Sequence, residues 1–356
     1  MNIINTVKVC RRLSSLLNQY RLSLQDGLAQ NLGGVAHRAG STQFSLDNDV
    51  PDLSGKVAIV TGGSEGIGYG ATHTFLKHNI SKLYILSLSE ETVQGAQNAI
   101  AQDLGQEAAD RTVWKQCDMG DWKRVKEVAD EILRDNDRLD ILVNNAGRGI
   151  MTYELTDYGV DRHMAVNHFG HAILTSRLLP LLRKTAKNGD TVRISLQASN
   201  LHHSAPSDTR FESLEELNRD LGPNPLYGRS KLAAILYARW FARNVTEAGH
   251  PNLVMNATHP GIVNTHMSKA EIHEPYPLGG YAMSHGLEPF KKDQFEGATS
   301  TVYAATVADR SGQYINPPAT PEPGSKPSQD EKLGDSLMEL TRRVIKEKTG
   351  EEIILA

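Results

Sequence analysis

The chain carries very little cysteine: Cys10 and Cys117 are the only two in 356 residues. Two thiols exclude a disulfide framework, and so low a count suits a reducing compartment. Long hydrophobic runs are missing as well. No apolar stretch approaches the ~20 residues a membrane-spanning helix needs, and those present are short and end in glycine or polar residues, as buried strands do. Charge of one sign is also scarce. Lysine plus arginine total 38 against 42 aspartate plus glutamate, a formal net charge of −4. That balance offers no electrostatic grip on nucleic acid.

Residues 1–50 stand apart from the rest. Met1 to Gln25 holds Lys8, Arg11, Arg12 and Arg21 with no acid until Asp26, while Ile4, Val7, Leu13, Leu16, Leu17, Tyr20 and Leu24 recur at near-helical spacing. A basic, serine-containing, acid-poor amphipathic start is the pattern of a mitochondrial presequence. A loosely held extension or a membrane-surface helix has the same composition. The expected compartment is the mitochondrion, with the cytoplasm as the alternative, and the segment is set aside from fold reasoning.

From Val57 onward, short apolar runs alternate with helical stretches. Val57–Val60, Leu83–Leu86, Val113–Cys117, Ile141–Val143, Val192–Ile194, Leu253–Met255 and Gln313–Ile315 read as strands. Thr92–Leu104, Asp121–Asp135, Tyr158–Lys187 and Leu226–Ala248 read as helices. This alternation predicts an α/β fold: one Rossmann-type, doubly wound parallel sheet with helices on both faces, a single domain over residues 51–317. Two irregular stretches interrupt it, Ser204–Pro225 and Asn264–Phe290. The second is expected to form a lid near 264–290. Residues 318–356 read as a Pro-rich linker followed by a helix near Lys332–Lys348.

Thr61 to Gly68 reads Thr-Gly-Gly-Ser-Glu-Gly-Ile-Gly, directly after a strand and opening a helix. Gly62 allows the tight turn, Gly66 lets backbone approach a pyrophosphate, and Gly68 permits close helix–sheet packing. The helix N-terminus then offers unpaired N–H groups to phosphate oxygens. A second chemical pair is Tyr227 and Lys231, whose i,i+4 spacing puts both side chains on one helix face. A phenol with an ordinary pKa near 10 is a poor base at neutral pH. A neighbouring ammonium favours the phenolate and brings the group towards the working range.

The Gly-x-x-x-Gly-x-Gly spacing and Tyr-x-x-x-Lys pair resemble the short-chain dehydrogenase/reductase superfamily, over roughly Leu53 to Tyr314. The resemblance implies that Asn144 to Gly147 (Asn-Asn-Ala-Gly) stabilises the sheet and flanks the adenosine. It implies that Asp118 hydrogen-bonds the adenine, and that Pro260, Gly261, Val263 and Thr265 hold the nicotinamide carboxamide. It places Ser64, Ile67, Ser89, Asn145, Ala146 and Gly147 against the cofactor. It makes Ser199 the group that orients the substrate oxygen, Tyr227 the acid/base, Lys231 its partner on the ribose hydroxyls, and Asn167 the anchor of a water relay. Homo-oligomers are expected to pair through the long helices after the fourth and fifth strands. The dozen or so extra residues between Ser199 and Tyr227 resemble the branch that contains retinol dehydrogenases and light-dependent protochlorophyllide reductases. Within it, fungal mitochondrial oxidoreductases of a blue-light-induced type are the narrower resemblance.

Cofactor choice in this fold is set after the second strand, here Leu86-Ser-Leu-Ser-Glu90. An acid there takes the 2′-hydroxyl of NAD, and a base accommodates the 2′-phosphate of NADP. Leu88 replaces the acid, Ser89 replaces the arginine, and Glu65 stands where a base is common. NADP(H) is expected over NAD(H). The expected activity interconverts a small carbonyl compound and its alcohol. A non-catalytic nucleotide-binding sensor or scaffold, and a C=C reductase, are the alternatives. Met267, Tyr276, Leu278, Tyr281, Met283 and Phe290 either line a pocket for a lipophilic substrate or simply pack the lid. His163, His168 and His171 read as helix-surface residues near the cofactor. No acid or cysteine completes a metal-ligand spacing around them, so no metal is expected. His202 and His203 either rim the active site or sit on an exposed turn, and Cys117 reads as a buried strand residue.

Overall fold

The computed structural model describes residues 44–261 and 293–354. Residues 1–43, the lid with its six apolar residues, Val263 and Thr265 lie outside the described residues, whereas Phe44, Leu46 and Val50, expected in the N-terminal extension, pack on the core. Eight strands form one sheet in the order β3-β2-β1-β4-β5-β6-β7-β8. They are β1 Val57–Thr61, β2 Lys82–Ser87, β3 Thr112–Gln116, β4 Ile141–Asn144, β5 Val192–Gln197, β6 Leu253–Thr258, β7 Tyr314–Asn316 and β8 Thr320–Glu322. β1 to β7 are parallel, and β8 returns antiparallel along β7. The expected Rossmann-type sheet is present. Its strand order reverses between β1 and β4, the topological switch point at which this architecture leaves a crevice for ligands.

Strand periodicity sorts the core into two layers, because successive side chains face opposite ways. Ala58, Val60, Leu83, Ile85, Ile141 and Val143 face helices Gly66–Lys77, Glu90–Leu104 and Gln294–Thr306. Val57, Ile59, Tyr84, Leu86, Leu142 and Ile194 face helices Trp122–Asp135, His171–Lys187 and Pro223–Phe241. Burial on both sides is why these strands read as continuous apolar runs rather than alternating ones.

Several elements depart from expectation. The helix foreseen over Tyr158–Lys187 starts at Arg162 and passes through a π-helical turn, Ala165–Gly170, before Pro180-containing His171–Lys187. Tyr158 belongs to the preceding turn and stacks on Trp122 with ring centroids 4.5 Å apart. The helix expected from Leu226 begins three residues earlier, at Pro223, behind Gly222 with φ +82°. Helix Gln294–Thr306 had no strong apolar signature. It sits against helix Gly66–Lys77 through small residues, where a Cβ on Gly70 would come within 2.5 Å of the Gln294 carbonyl oxygen.

The Pro-rich stretch expected as a linker contributes β8, and the helix beyond it, Glu331–Thr349, is integral to the core. Asp330 caps its start, accepting from the Leu333 N–H at 3.1 Å, and Gly350 with φ +74° ends it. Leu337, Met338, Leu340, Val344 and Ile345 are buried. Arg342 lies 5.1 Å over the Trp240 ring, and Arg243 pairs with Asp335 at 3.0 Å. One side of the Pro223–Phe241 helix is therefore covered from within the chain. Among the described residues no helix is long and apolar enough to cross a membrane. Truncating Leu337 to alanine is expected to lower the unfolding free energy by about 3 kcal/mol, measured by urea denaturation. Unchanged stability would show that the terminal helix does not share the core.

Candidate active site

The glycine loop is built by proximity. Gly62 (φ +63°) and Gly66 (φ +53°) occupy the left-handed region that side chains avoid. A Cβ on Gly68 would fall 2.0 Å from the Gly62 carbonyl oxygen and 2.6 Å from Nδ2 of Asn145. The loop thus folds onto its own helix and onto the end of β4. Thr61, at its head, makes that junction. Its hydroxyl accepts the N–H groups of Asn145 (2.8 Å) and Ala146 (2.9 Å) and lies 3.3 Å from the Val143 carbonyl. The Asn145 amide in turn donates to the Thr61 carbonyl at 3.0 Å and to Gly62 at 3.3 Å. A backbone surface without side chains, at a switch point and a helix start, fits the pyrophosphate of a dinucleotide.

Ser64, Ser87, Ser89 and Thr92 form one hydrogen-bonded group beside this loop. The Ser64 hydroxyl meets that of Ser87 at 2.8 Å and that of Thr92 at 3.4 Å. Ser89 caps helix Glu90–Leu104, accepting from the Thr92 N–H at 3.3 Å. Leu88 is 60% exposed beside it. Ile67 packs on the core at the first turn of its helix. Asp118 accepts from the Gly120 N–H at 2.7 Å and pairs with Arg162 at 3.2 Å. Pro260 and Gly261 (φ +79°) follow β6, where the described residues break off.

The four residues singled out for chemistry converge at the C-terminal ends of β4 and β5. Lys231 is buried, donates to the Gln197 carbonyl at 2.8 Å, and stands 5.4 Å from the ring centroid of Tyr227, which is half-buried. Asn167 sits in the π-turn. Its amide donates to the Arg148 carbonyl and to the Ser230 hydroxyl, both at 2.9 Å, and its Oδ1 accepts from the Arg148 N–H at 2.7 Å. Gly147 lies between Asn167 and Lys231: a Cβ there would stand 3.1 Å from Oδ1 and 3.6 Å from Nζ. Ser199 caps the 3-10 turn Asn200–Ser204, its Oγ accepting from the Leu201 N–H at 3.2 Å. That turn presses on the tyrosine helix at Gly228, where a Cβ would meet the Leu201 carbonyl at 2.5 Å.

The three clustered histidines are a correction. They are core residues, not surface ones: His163, His168 and His171 are all buried. His163 lies 3.2 Å from Asp161, His168 bonds Thr341 at 2.7 Å, and His171 approaches the Thr61 hydroxyl at 3.1 Å. Burial, followed by the neighbouring His171 charge, pushes His168 down to about 3. Burial pushes His171 to about 3 as well, partly opposed by its bond to the Asn167 carbonyl. Cys117 is buried, and burial pushes its thiol up to about 12, which suits packing rather than nucleophilic work. His202 is buried while His203 is exposed. Among the described residues no cluster of histidine, cysteine and acid could hold a metal ion. Thr61, Gln197 and His171 build the site through the contacts above, roles that the sequence does not display directly. Thr61 carried a signal as the residue that turns the first strand into the loop, whereas Gln197 acts through its carbonyl and carried none.

A strand order that reverses at a glycine loop defines a nucleotide-binding α/β class. The family model described as short chain dehydrogenase matches residues 56–206. A Neurospora crassa protein whose name describes it as a mitochondrial oxidoreductase, bli-4, is 61% identical over 330 residues, covering 92% of this chain and 80% of its own. Mouse retinol dehydrogenase 14 is 30% identical over 267 residues, covering 73% and 76% respectively. Among solved structures, an NADP complex of Pseudomonas aeruginosa RhlG shares the fold with a TM-score of 0.57 at 23% identity, covering 75% of this chain and 96% of that one. The chain belongs to the short-chain dehydrogenase/reductase family, a family of oxidoreductases.

Two outcomes test the site's construction. Gly68→Ala forces a Cβ into the Gly62 carbonyl, so NADPH affinity, followed by nicotinamide fluorescence, is expected to weaken at least about tenfold. Parent affinity would remove the loop from the site. His168 and His171 give a pH signature. Their folded values lie below the unfolded value near 6.5, so the stability they contribute is complete above that pH and is lost as pH falls towards 3. Each such group adds about 1.4 kcal/mol per pH unit to the slope once pH falls below about 6, and His202, lowered to about 4 by burial, acts in the same direction. His168→Gln should flatten the curve measured by chemical denaturation, and an unaltered slope would contradict the burial argument.

Proposed function

We propose that the protein is an NADP(H)-dependent enzyme that interconverts a carbonyl compound and its alcohol, using Ser199, Tyr227, Lys231 and Asn167. The observation that carries the reading is the buried Lys231 ammonium, set between the Tyr227 ring and the Gln197 carbonyl at the strand ends beside the glycine loop. Gly62, Ser64, Gly66 and Gly68 would hold the dinucleotide, whose nicotinamide would supply or take the hydride when bound. The chain's own residues handle the proton. Tyr227 Oη gives it to the carbonyl oxygen in reduction and removes it in oxidation. Lys231 stabilises the phenolate in either direction by its positive charge, and its ammonium is the group that would meet the ribose hydroxyls. The Ser199 hydroxyl polarises the same oxygen; its bond from Leu201 uses a lone pair of Oγ and not its proton. Asn167 holds the π-turn against Ser230, next to Lys231 on the tyrosine helix, where a water relay to the lysine would be anchored.

NADP over NAD is supported by the absence of an acid at Leu88 and by NADP in the RhlG structure. A lipophilic substrate is supported by the apolar residues of the segment near 264–290 and by the retinol named for the mouse relative. Mitochondrial import through residues 1–50 is supported by their composition and by the Neurospora relative's name. The deciding experiment offers NADPH and NADH with all-trans-retinal and decanal to the parent and to Tyr227→Phe. The parent is expected to turn over at least one aldehyde, faster with NADPH. The variant should lose at least about a hundredfold in kcat while binding NADPH within about threefold of the parent. Equal rates in the two proteins would end the assignment of Tyr227. Nucleotide binding without turnover in the parent would favour a sensor.

A further inference from the structure

The serine stands on a turn whose shape is set by a residue far along the chain. His202, buried at 1% exposure, bridges two backbone groups. Its Nδ1 lies 2.7 Å from the Ser199 carbonyl, and its Nε2 lies 3.0 Å from the backbone N–H of Ser325. A carbonyl only accepts and a backbone N–H only donates, so one tautomer satisfies both ends: Nδ1–H gives to Ser199, and the Nε2 lone pair takes from Ser325. The ring is then fully used and cannot rotate without losing a bond. Neighbours fix its plane. Tyr314 meets it edge-on with centroids 5.0 Å apart and donates from its hydroxyl to Asn200 Oδ1 at 2.8 Å. Gly324 (φ +69°) borders the ring, and a Cβ there would stand 2.7 Å from the Ser328 Oγ and 3.4 Å from Nε2.

We propose that His202 is the positioning residue for Ser199, a strut that ties the serine's carbonyl to the Gly324–Ser325 turn after β8 and so fixes where the Ser199 hydroxyl points. The inference rests on the reading of Ser199 as the group that orients the substrate oxygen. It gives the C-terminal segment, which lies outside the family match at residues 56–206, a part in the geometry of the active site.

The test is a double-mutant cycle on the whole protein, with NADPH and the faster of decanal and all-trans-retinal. His202→Phe keeps an aromatic ring beside Tyr314 and removes both bonds. It is expected to lower kcat about ten- to a hundredfold, with NADPH affinity within about threefold of the parent. On a Ser199→Ala background the same change should cost less than about twofold, because a misplaced serine and a missing one are equivalent. His202→Asn, whose amide nitrogen falls near the Nδ1 position, should recover most of the activity, whereas His202→Gln should not. Three results overturn the proposal: kcat of His202→Phe within twofold of the parent, a full additional loss on the Ser199→Ala background, or equal activity in the Asn and Gln variants. If His202→Phe does not fold, the Asn and Gln pair decides alone. If Ser199→Ala keeps parental turnover, the reading of Ser199 itself has failed and this inference falls with it. A normal Ser199→Ala defect with additive His202 effects refutes only the strut.

Discussion

One hydroxyl fixes the junction on which the site depends. Thr61 ends β1, and its side chain holds the first two N–H groups beyond β4 while lying within 3.3 Å of the Val143 carbonyl and 3.1 Å of His171. β1 and β4 are the neighbours between which the strand order reverses. Their ladder runs to Val60 and Val143, and Thr61 extends the contact just beyond it, where the two connections leave to opposite faces of the sheet. The glycine loop hangs from one and the Asn144–Gly147 turn from the other. A buried hydroxyl with several partners is costly to disrupt, because each deserted N–H would be left in an apolar interior. The neutral His171 ring, held uncharged by burial, completes the arrangement without adding a charge next to the loop.

From that junction, close approach does the remaining work. Gly68 against Gly62 and Gly228 against the Ser199 turn are two places where a single methyl group would push the backbone apart, and at Gly147 it would crowd the Asn167 side chain at 3.1 Å. The π-turn at Ala165–Gly170 belongs to the same logic. An i→i+5 turn shifts the facing of the helix, and Asn167 inside it reaches the Arg148 backbone and Ser230 together. Precision here comes from absent atoms and one irregular turn rather than from strong bonds.

Much of this could be read from the residues, for reasons that also explain the failures. Strands buried on both faces leave continuous apolar runs, so β1 to β7 were visible within a residue or two except at their polar ends. The glycine loop and the Tyr227–Lys231 pair have fixed spacing and appeared directly. Helix Gln294–Thr306 did not, because a helix that packs by Gly, Ala, Ser and Thr has no apolar stripe. The histidines were misplaced because hydrophobic pattern treats histidine as polar. Their burial depends on partners distant in sequence, such as Thr341 for His168. Asn167 was legible as a residue but not as a member of a π-turn, since nothing in Ala165-Val-Asn-His-Phe-Gly170 announces the extra residue in its turn.

Two irregular segments are fastened to the helix that carries Tyr227 and Lys231. Arg229, two residues after Tyr227 and 1% exposed, donates to the carbonyls of Glu216 and Leu217 in the inserted stretch. Arg239, ten residues on, donates to the carbonyls of Ser328 and Pro323 in the C-terminal stretch. Burial pulls both guanidinium groups below their ordinary value, yet a group so strongly basic stays charged. Each therefore needs oxygen acceptors, and irregular loops expose many carbonyls that a sheet or helix would consume. Loops supply what buried arginines require, and the arginines order loops that have little apolar surface of their own. The stretch between Ser199 and Tyr227 and the C-terminal segment are thereby held by the same helix as Tyr227. A change in either can reach Tyr227 and Lys231 along one rigid element.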